Sequence, residues 1–110
     1  MTNKKTNQIH ALRIALLIAR HASEQKKDID DGGTCNLDTP VLVLSNWSNE
    51  DIKKAFDFTG LIPHIYDHGK TVHIGGAVDG CGFRRTAMAE AFRDSLKESG
   101  YQAYVYYKID

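Results

Sequence analysis

The residues best equipped for chemistry are crowded into Gly75-Gly76-Ala77-Val78-Asp79-Gly80-Cys81-Gly82-Phe83-Arg84-Arg85-Thr86. Glycines let backbone N–H groups approach a ligand, and a helix starting directly after them offers unpaired donors and the positive end of its dipole. Arg84 and Arg85 would then stand in the first turn, where unpaired cations oppose the macrodipole by a few tenths to about 1 kcal/mol each. An anion held by the Gly80 and Gly82 amides, with Thr86 just beyond, would reverse that penalty, and guanidinium forks suit phosphate. The structural alternative starts the helix at Thr86 and pairs both arginines with Asp79 or with acids of the preceding loop. The stretch lacks the Gly-Lys-Ser/Thr ending of a P-loop and the full dinucleotide fingerprint, so it indicates a ligand chemistry without naming the ligand.

Cys35, Cys81 and His73 form a second set. Three such ligands could seat zinc, and a Cys–His pair could act as a nucleophile. Neither CxxC nor HExxH is present, no orienting third group is identified, and a thiol among small residues serves equally as a compact filler. No catalytic residue, metal or cofactor is therefore assigned. The acids between Lys26 and Asp38 fail the alternating spacing of a calcium loop and lack its closing glutamate, which leaves solvated turn chemistry.

Helical spacing runs from about Thr6 to Gln25, with Ile9, Leu12, Ala15, Leu16 and Ala19 on one stripe and Ile14, Leu17 and Ile18 widening it. Only His10, Arg13, Arg20 and His21 form a polar strip. A helix this apolar needs two surfaces, its own domain and a second copy of the chain; full burial in a monomer is the alternative. Leu12 and Leu16 are the expected interface residues on this helix.

From about 39 to 108 the pattern is strand, helix, strand, strand, helix, strand. The unalternated run Val41-Leu42-Val43-Leu44 marks a central strand. Ser48 with Asp51 is a helix-capping pattern, flanked by Trp47 and Ile52, and Gly60 is the expected stop. A His68-Gly69 turn pairs Tyr66 with Thr71, Ile65 with Val72 and His64 with His73. In the last strand Ala103, Val105 and Tyr107 alternate with Tyr104, Tyr106 and Lys108.

This order predicts an α+β fold, a ferredoxin-like βαββαβ sandwich preceded by an extra N-terminal helix, in one domain spanning 1–110. The first and third strands are then antiparallel central neighbours. The Gly32 to Asp38 loop, the Gly75 to Arg85 loop and the chain end near Lys108 meet at one sheet edge. The open face carries His64, Tyr66, His73, Tyr104 and Tyr106, and the apolar first strand calls for cover there by the N-terminal helix or a partner. Tyrosines and histidines on an open sheet suit a nucleobase or a subunit interface; Tyr104 and Tyr106 are expected interface residues. Polymeric nucleic acid is not expected, because the basic-aromatic signature of RNA-recognition domains is missing from Thr71 to Gly76.

The 110 residues carry 14 basic and 14 acidic side chains, so the formal charge is zero and any charge-driven recognition is local. Apolar content of 42% with 25% charged residues fits one globular unit and excludes wholesale disorder. The run Ala11 to Ala19 is broken by Arg13 and is shorter than the roughly 20 residues of a membrane span. A cytoplasmic protein without a membrane partner is expected.

Gly33-Thr34-Cys35-Asn36-Leu37-Asp38, Gly82 to Ala91 and the closing Tyr-Gln-Ala-Tyr-Val-Tyr-Tyr together resemble a type of short uncharacterised protein met in phage genomes, over residues from about 30 onward. The resemblance implies one of two jobs in the host cytoplasm: a sponge sequestering a nucleotide signal of host immunity, or an inhibitor occupying a host defence protein. Sponges of that kind are small homo-oligomers without catalytic residues. The function expected is non-enzymatic binding of a small phosphorylated ligand, a nucleotide. Gly80, Gly82, Arg84, Arg85 and Thr86 hold phosphate, Thr34 and Asn36 orient polar groups, and His73 or a tyrosine contacts the base. Protein interaction through the Tyr/His face and a small Cys–His enzyme are the alternatives.

Overall fold

Val41, Leu42 and Val43 are apolar without alternation because their strand is paired on both sides. In the computed structural model, which describes residues 3–33 and 36–108, the elements are α1 (Asn3–Glu24), β1 (Thr39–Val43), α2 (Asn49–Phe56), β2 (Ile62–Tyr66), β3 (Thr71–Gly75), α3 (Gly82–Glu98) and β4 (Gln102–Tyr106). The sheet order is β2-β3-β1-β4, and every neighbouring pair is antiparallel. Each of the crossovers through α2 and α3 therefore joins two parallel strands that have a third strand between them.

The hairpin has the register its turn predicts, with Tyr66 opposite Thr71, Ile65 opposite Val72 and His64 opposite His73. Ser48 caps α2, its hydroxyl accepting from the Asp51 amide at 3.1 Å. The Asp51 side chain also pairs with Lys5 of α1 at 2.7 Å, and that ammonium group first, with Ser48 after it, holds its carboxyl below the usual carboxylate range. Instead of running to Gly60, α2 ends at Phe56, and Phe58 and Gly60 turn the chain with positive φ.

Leu42, Val72, Ile74 and Ala103 project from one sheet face into a core shared with Ile52, Ala55 and Phe56 of α2 and Phe92 and Leu96 of α3. Truncating a side chain such as Phe92 at its centre would cost about 3–5 kcal/mol.

Helix α1 does not cover the open sheet face. It packs on α3 and α2, adding a third layer on the helix side. Arg13 and Arg20 anchor it there, donating to the carbonyls of Lys54 and Thr59, the carbonyl end of α2 and the turn beyond. Leu12 and Leu16 are both 0% exposed and belong to the common core, which corrects the expectation that they form an interface. The apolar residues α1 leaves in solvent are Ile14, Leu17 and Ile18, at 47, 43 and 54% exposure. No helix among the described residues is long and apolar enough to cross a membrane.

Candidate functional site

Opposed residues of a sheet share a face. The pairings Val41↔His73, Val41↔Tyr104, Thr39↔Tyr106 and His64↔His73 therefore place both histidines, Tyr66, Tyr104 and Tyr106 on the face away from the helices. The ring centroids of Tyr66 and His73 are 4.7 Å apart, and those of His73 and Tyr106 are 5.5 Å apart. His73 and Tyr106 belong to strands separated by β1, hence by two strand spacings of about 4.8 Å. Their approach means that the rings lean together across β1. Val41 is fully buried although its face has no second layer. The expected cover for β1 is thus supplied by its own neighbours.

At the end of the sheet where β1 begins and β3 and β4 finish, this aromatic floor opens into a cavity of about 470 Å³. His64, His73, Tyr66 and Tyr106 line it together with two cations, Arg85 and Lys108. Burial, and secondly the neighbouring His64, holds His73 below the ordinary histidine value, so its ring favours the neutral form. A neutral imidazole offers one donor and one acceptor to a ligand. The site thus joins flat hydrogen-bonding surfaces to a cationic end.

Asp38 sets that cationic end. The residue is 2% exposed, and its carboxyl group accepts from the Thr86 hydroxyl at 2.6 Å and the Lys108 amide at 3.0 Å. Its backbone carbonyl accepts from Arg85 Nε at 2.8 Å. The entry of β1, the first turn of α3 and the exit of β4 are tied at one residue, and Leu37 adds a backbone bond to the Lys108 carbonyl at 2.6 Å. Asn36 donates to Thr86 Oγ1 at 3.3 Å, so both residues belong to this network.

The glycine loop is placed differently from the expectation for an open anion nest. Gly82 has φ +63°, and a Cβ there would collide with the carbonyls of Asp31 and Gly32. The Phe83 amide donates to the Gly32 carbonyl at 3.3 Å, so backbone of the preceding loop lies against the start of α3. Arg84 turns to that loop too, donating to the Ile29 carbonyl at 3.2 Å and pairing with Asp31 at 3.5 Å. Arg84 thus pairs with an acid of the preceding loop, as the structural alternative has it, but it does so from the first turn of a helix that begins at Gly82 and not at Thr86. A Cβ on Gly80 would likewise lie 3.1 Å from Asp31.

Of the residues singled out from the sequence, the structure brings His64, Tyr66, His73, Arg85 and Tyr106 to one cavity. Gly80, Gly82 and Arg84 lie against the Asp31–Gly32 segment, Asn36 and Thr86 lie in the Asp38 network, and Thr34 and Cys35 fall outside the described residues. Cys81 precedes α3 as its N-cap without a side-chain cap bond. Among the described residues, no group of three His, Cys, Asp or Glu side chains is placed to hold a metal. The chain matches no protein-family model, no curated protein and no solved structure.

Asp38 is the residue organising this candidate site that the sequence does not single out. Its partners Thr86 and Lys108 are 48 and 70 positions away, and an acid at a strand entry carries no local sign of burial. His64 and Tyr66 carried a usable signal, because the hairpin register alone puts them on the face of His73.

Proposed function

We propose that this protein binds a small phosphorylated ligand, a nucleotide, in the cavity at the end of its open sheet face, without chemically transforming it. The observation that carries the reading is the convergence of Arg85 and Lys108 with His64, His73, Tyr66 and Tyr106 around one cavity. Cations held at fixed points favour a phosphate, and aromatic faces favour a base. The phosphate site of this reading is Arg85 with Lys108, and the amides of Gly80 and Gly82 are left to the loop. Binding without turnover is the role that the resemblance to phage-encoded sponges implies, in the cytoplasm of the host.

The βαββαβ order, with β1 and β3 as antiparallel central neighbours, supports the finer assignment to the ferredoxin-like class. The test of function is release of ligand from the purified protein by heat, identified by mass spectrometry, and titration with nucleotides of wild type and Arg85→Ala. Affinity unchanged in the variant would remove the reading.

A second copy of the chain is proposed to pack on α1. The exposed positions His10, Ile14, Leu17 and His21 have spacings that read the same from either end, so two helices crossing antiparallel about a two-fold axis set Ile14 on Leu17 of the copy. Sedimentation of the intact chain tests it, and a monomer at every concentration would remove it.

A further inference from the structure

The cavity also carries information on which phosphorylated ligand it suits, and this inference rests on the reading of that cavity as a nucleotide site. Gly75 closes β3 within the paired part of the hairpin, opposite Ile62, and its φ lies outside the left-handed region. A glycine in a strand without a backbone reason usually marks a close approach. Here the approaching group is His64: a Cβ on Gly75 would lie 3.0 Å from His64 Nε2 and 3.4 Å from Cδ2. A side chain on Gly75 would press on the imidazole, which would have to give by a few tenths of an ångström, and both residues line the cavity.

His73 is flanked by Tyr66 at 4.7 Å and Tyr106 at 5.5 Å, with the tyrosine rings inclined to the imidazole by 64° and 59°, which makes one aromatic cluster with His73 at its centre. The cationic end is equally limited. Arg85 and Lys108 line the cavity, whereas Arg84, one position away in sequence, is held by Asp31 and the Ile29 carbonyl. A volume of about 470 Å³ lies toward the lower end of the roughly 300–1,000 Å³ of small-molecule sites. One aromatic cluster, one pair of cations and one modest cavity describe a ligand with one base and one phosphate.

We propose that the ligand is a nucleoside monophosphate: its base lies on His73 between Tyr66 and Tyr106, its base edge is read by His64 resting on Gly75, and its phosphate is held by Arg85 and Lys108. Gly75 is on this account the specificity-determining residue, since a Cβ there would crowd the imidazole at 3.0 Å and shift it from the base edge. An imidazole reads a base edge through its ring nitrogens, and a displaced ring leaves the edge unread.

The test is calorimetric titration of the full chain with AMP, GMP, CMP and UMP, and with ATP, cyclic di-AMP and inorganic phosphate. At least one monophosphate is expected to bind, with ATP and cyclic di-AMP no tighter. In Gly75→Ala the affinity for the best monophosphate is expected to fall about tenfold, the loss of one good hydrogen bond, while inorganic phosphate is unaffected. His64→Ala keeps the backbone of β3 and is expected to show the same loss, so it decides the matter if Gly75→Ala does not fold. Full monophosphate affinity in His64→Ala overturns the inference, and so does ATP or cyclic di-AMP binding more than about tenfold tighter than every monophosphate. Those results leave the nucleotide reading standing. Failure of wild type to bind any phosphorylated probe removes both together.

Discussion

The Thr86 hydroxyl donates to Asp38 Oδ2 at 2.6 Å, joining the first turn of α3 to the entry of β1. The other oxygen of the same carboxyl group accepts the Lys108 amide at 3.0 Å, so one buried side chain positions both ends of the cationic rim. Leaving buried donors without their acceptor costs more than the bond itself contributes. Asp38→Ala is therefore expected to lower unfolding free energy in urea by about 2–3 kcal/mol, and Thr86→Val by about 1–2 kcal/mol. Asp38 is a positioning residue, so Asp38→Asn, which keeps an acceptor oxygen, should restore part of the stability. It should also restore more nucleotide affinity than Asp38→Ala retains. Equal affinity in the Asn and Ala variants would contradict that role.

Arg84 and Arg85 are predicted to separate in a binding assay. Arg84 makes a half-exposed ion pair with Asp31, and such pairs contribute about 0–1 kcal/mol to stability. Its replacement by alanine should leave nucleotide affinity unchanged. Arg85→Ala removes a charge-assisted contact of about 1.5–3 kcal/mol, a loss of roughly 10- to 100-fold. Titration of the two single variants reads this directly, and equal losses would refute the assignment of phosphate to Arg85.

Two glycines with left-handed backbone should respond very differently to a methyl group. Gly82 has φ +63° and its Cβ position is blocked by backbone carbonyls, whereas Gly69 has φ +77° with nothing within 4 Å. Strain alone costs about 1 kcal/mol, and displacement of packed backbone adds to it. Gly82→Ala is expected to cost about 2–4 kcal/mol and Gly69→Ala about 1 kcal/mol in urea unfolding. Similar values for both would mean that the Asp31–Gly32 segment gives way, and that the start of α3 is not closed by it.

What the chain discloses locally is therefore different from what it discloses at a distance. The hairpin register is legible because the His68-Gly69 turn leaves one pairing, and the start of α2 is legible because Ser48 needs only the amide of Asp51. The open face follows from the register, which is why the sequence alone groups His64, Tyr66 and His73. Arg84 and Arg85 differ by one position, about 100° of helix rotation, and which of them meets the cavity depends on where the Asp31 loop lies. Asp38 is illegible for the same reason, as its burial comes from segments far along the chain. The layer chosen by α1 follows from its anchors at the Lys54 and Thr59 carbonyls, which no periodicity reveals.

His73 should make stability pH-dependent on the acid side. Burial first, and His64 second, hold it below its ordinary value of 6.5. At higher pH the ring is neutral in both folded and unfolded chains, and this group contributes nothing to the slope. As pH falls below 6.5 the unfolded chain binds a proton that the folded chain still refuses, so stability is lost until the lower folded value is passed. His73→Gln should flatten that part of the profile when urea midpoints are compared at about pH 7.5 and about pH 5.5. The phosphate is assigned to Arg85 and Lys108 and not to His73, so the pH dependence of nucleotide affinity over the same interval should be the same in wild type and His73→Gln, and a dependence that the substitution abolishes would place the phosphate beside His73.

The last expectation concerns the exposed strip of α1. Leu12 and Leu16 are committed to the core, so a substitution there would test folding, not association. Leu17 is 43% exposed and lies between Ile14 and Ile18, where a charge can be solvated in a monomer but not between two apolar helices. Leu17→Glu is expected to leave the urea midpoint of a dilute sample within about 0.5 kcal/mol of wild type, as surface changes usually do. In the two-fold arrangement each glutamate would meet Ile14 of the copy, so the same variant should sediment as a monomer at concentrations where wild type does not. Unaltered self-association in Leu17→Glu would move the contact to the sheet face. Tyr104 and Tyr106 stand exposed there, and Tyr106→Ala would then be the variant that dissociates the assembly.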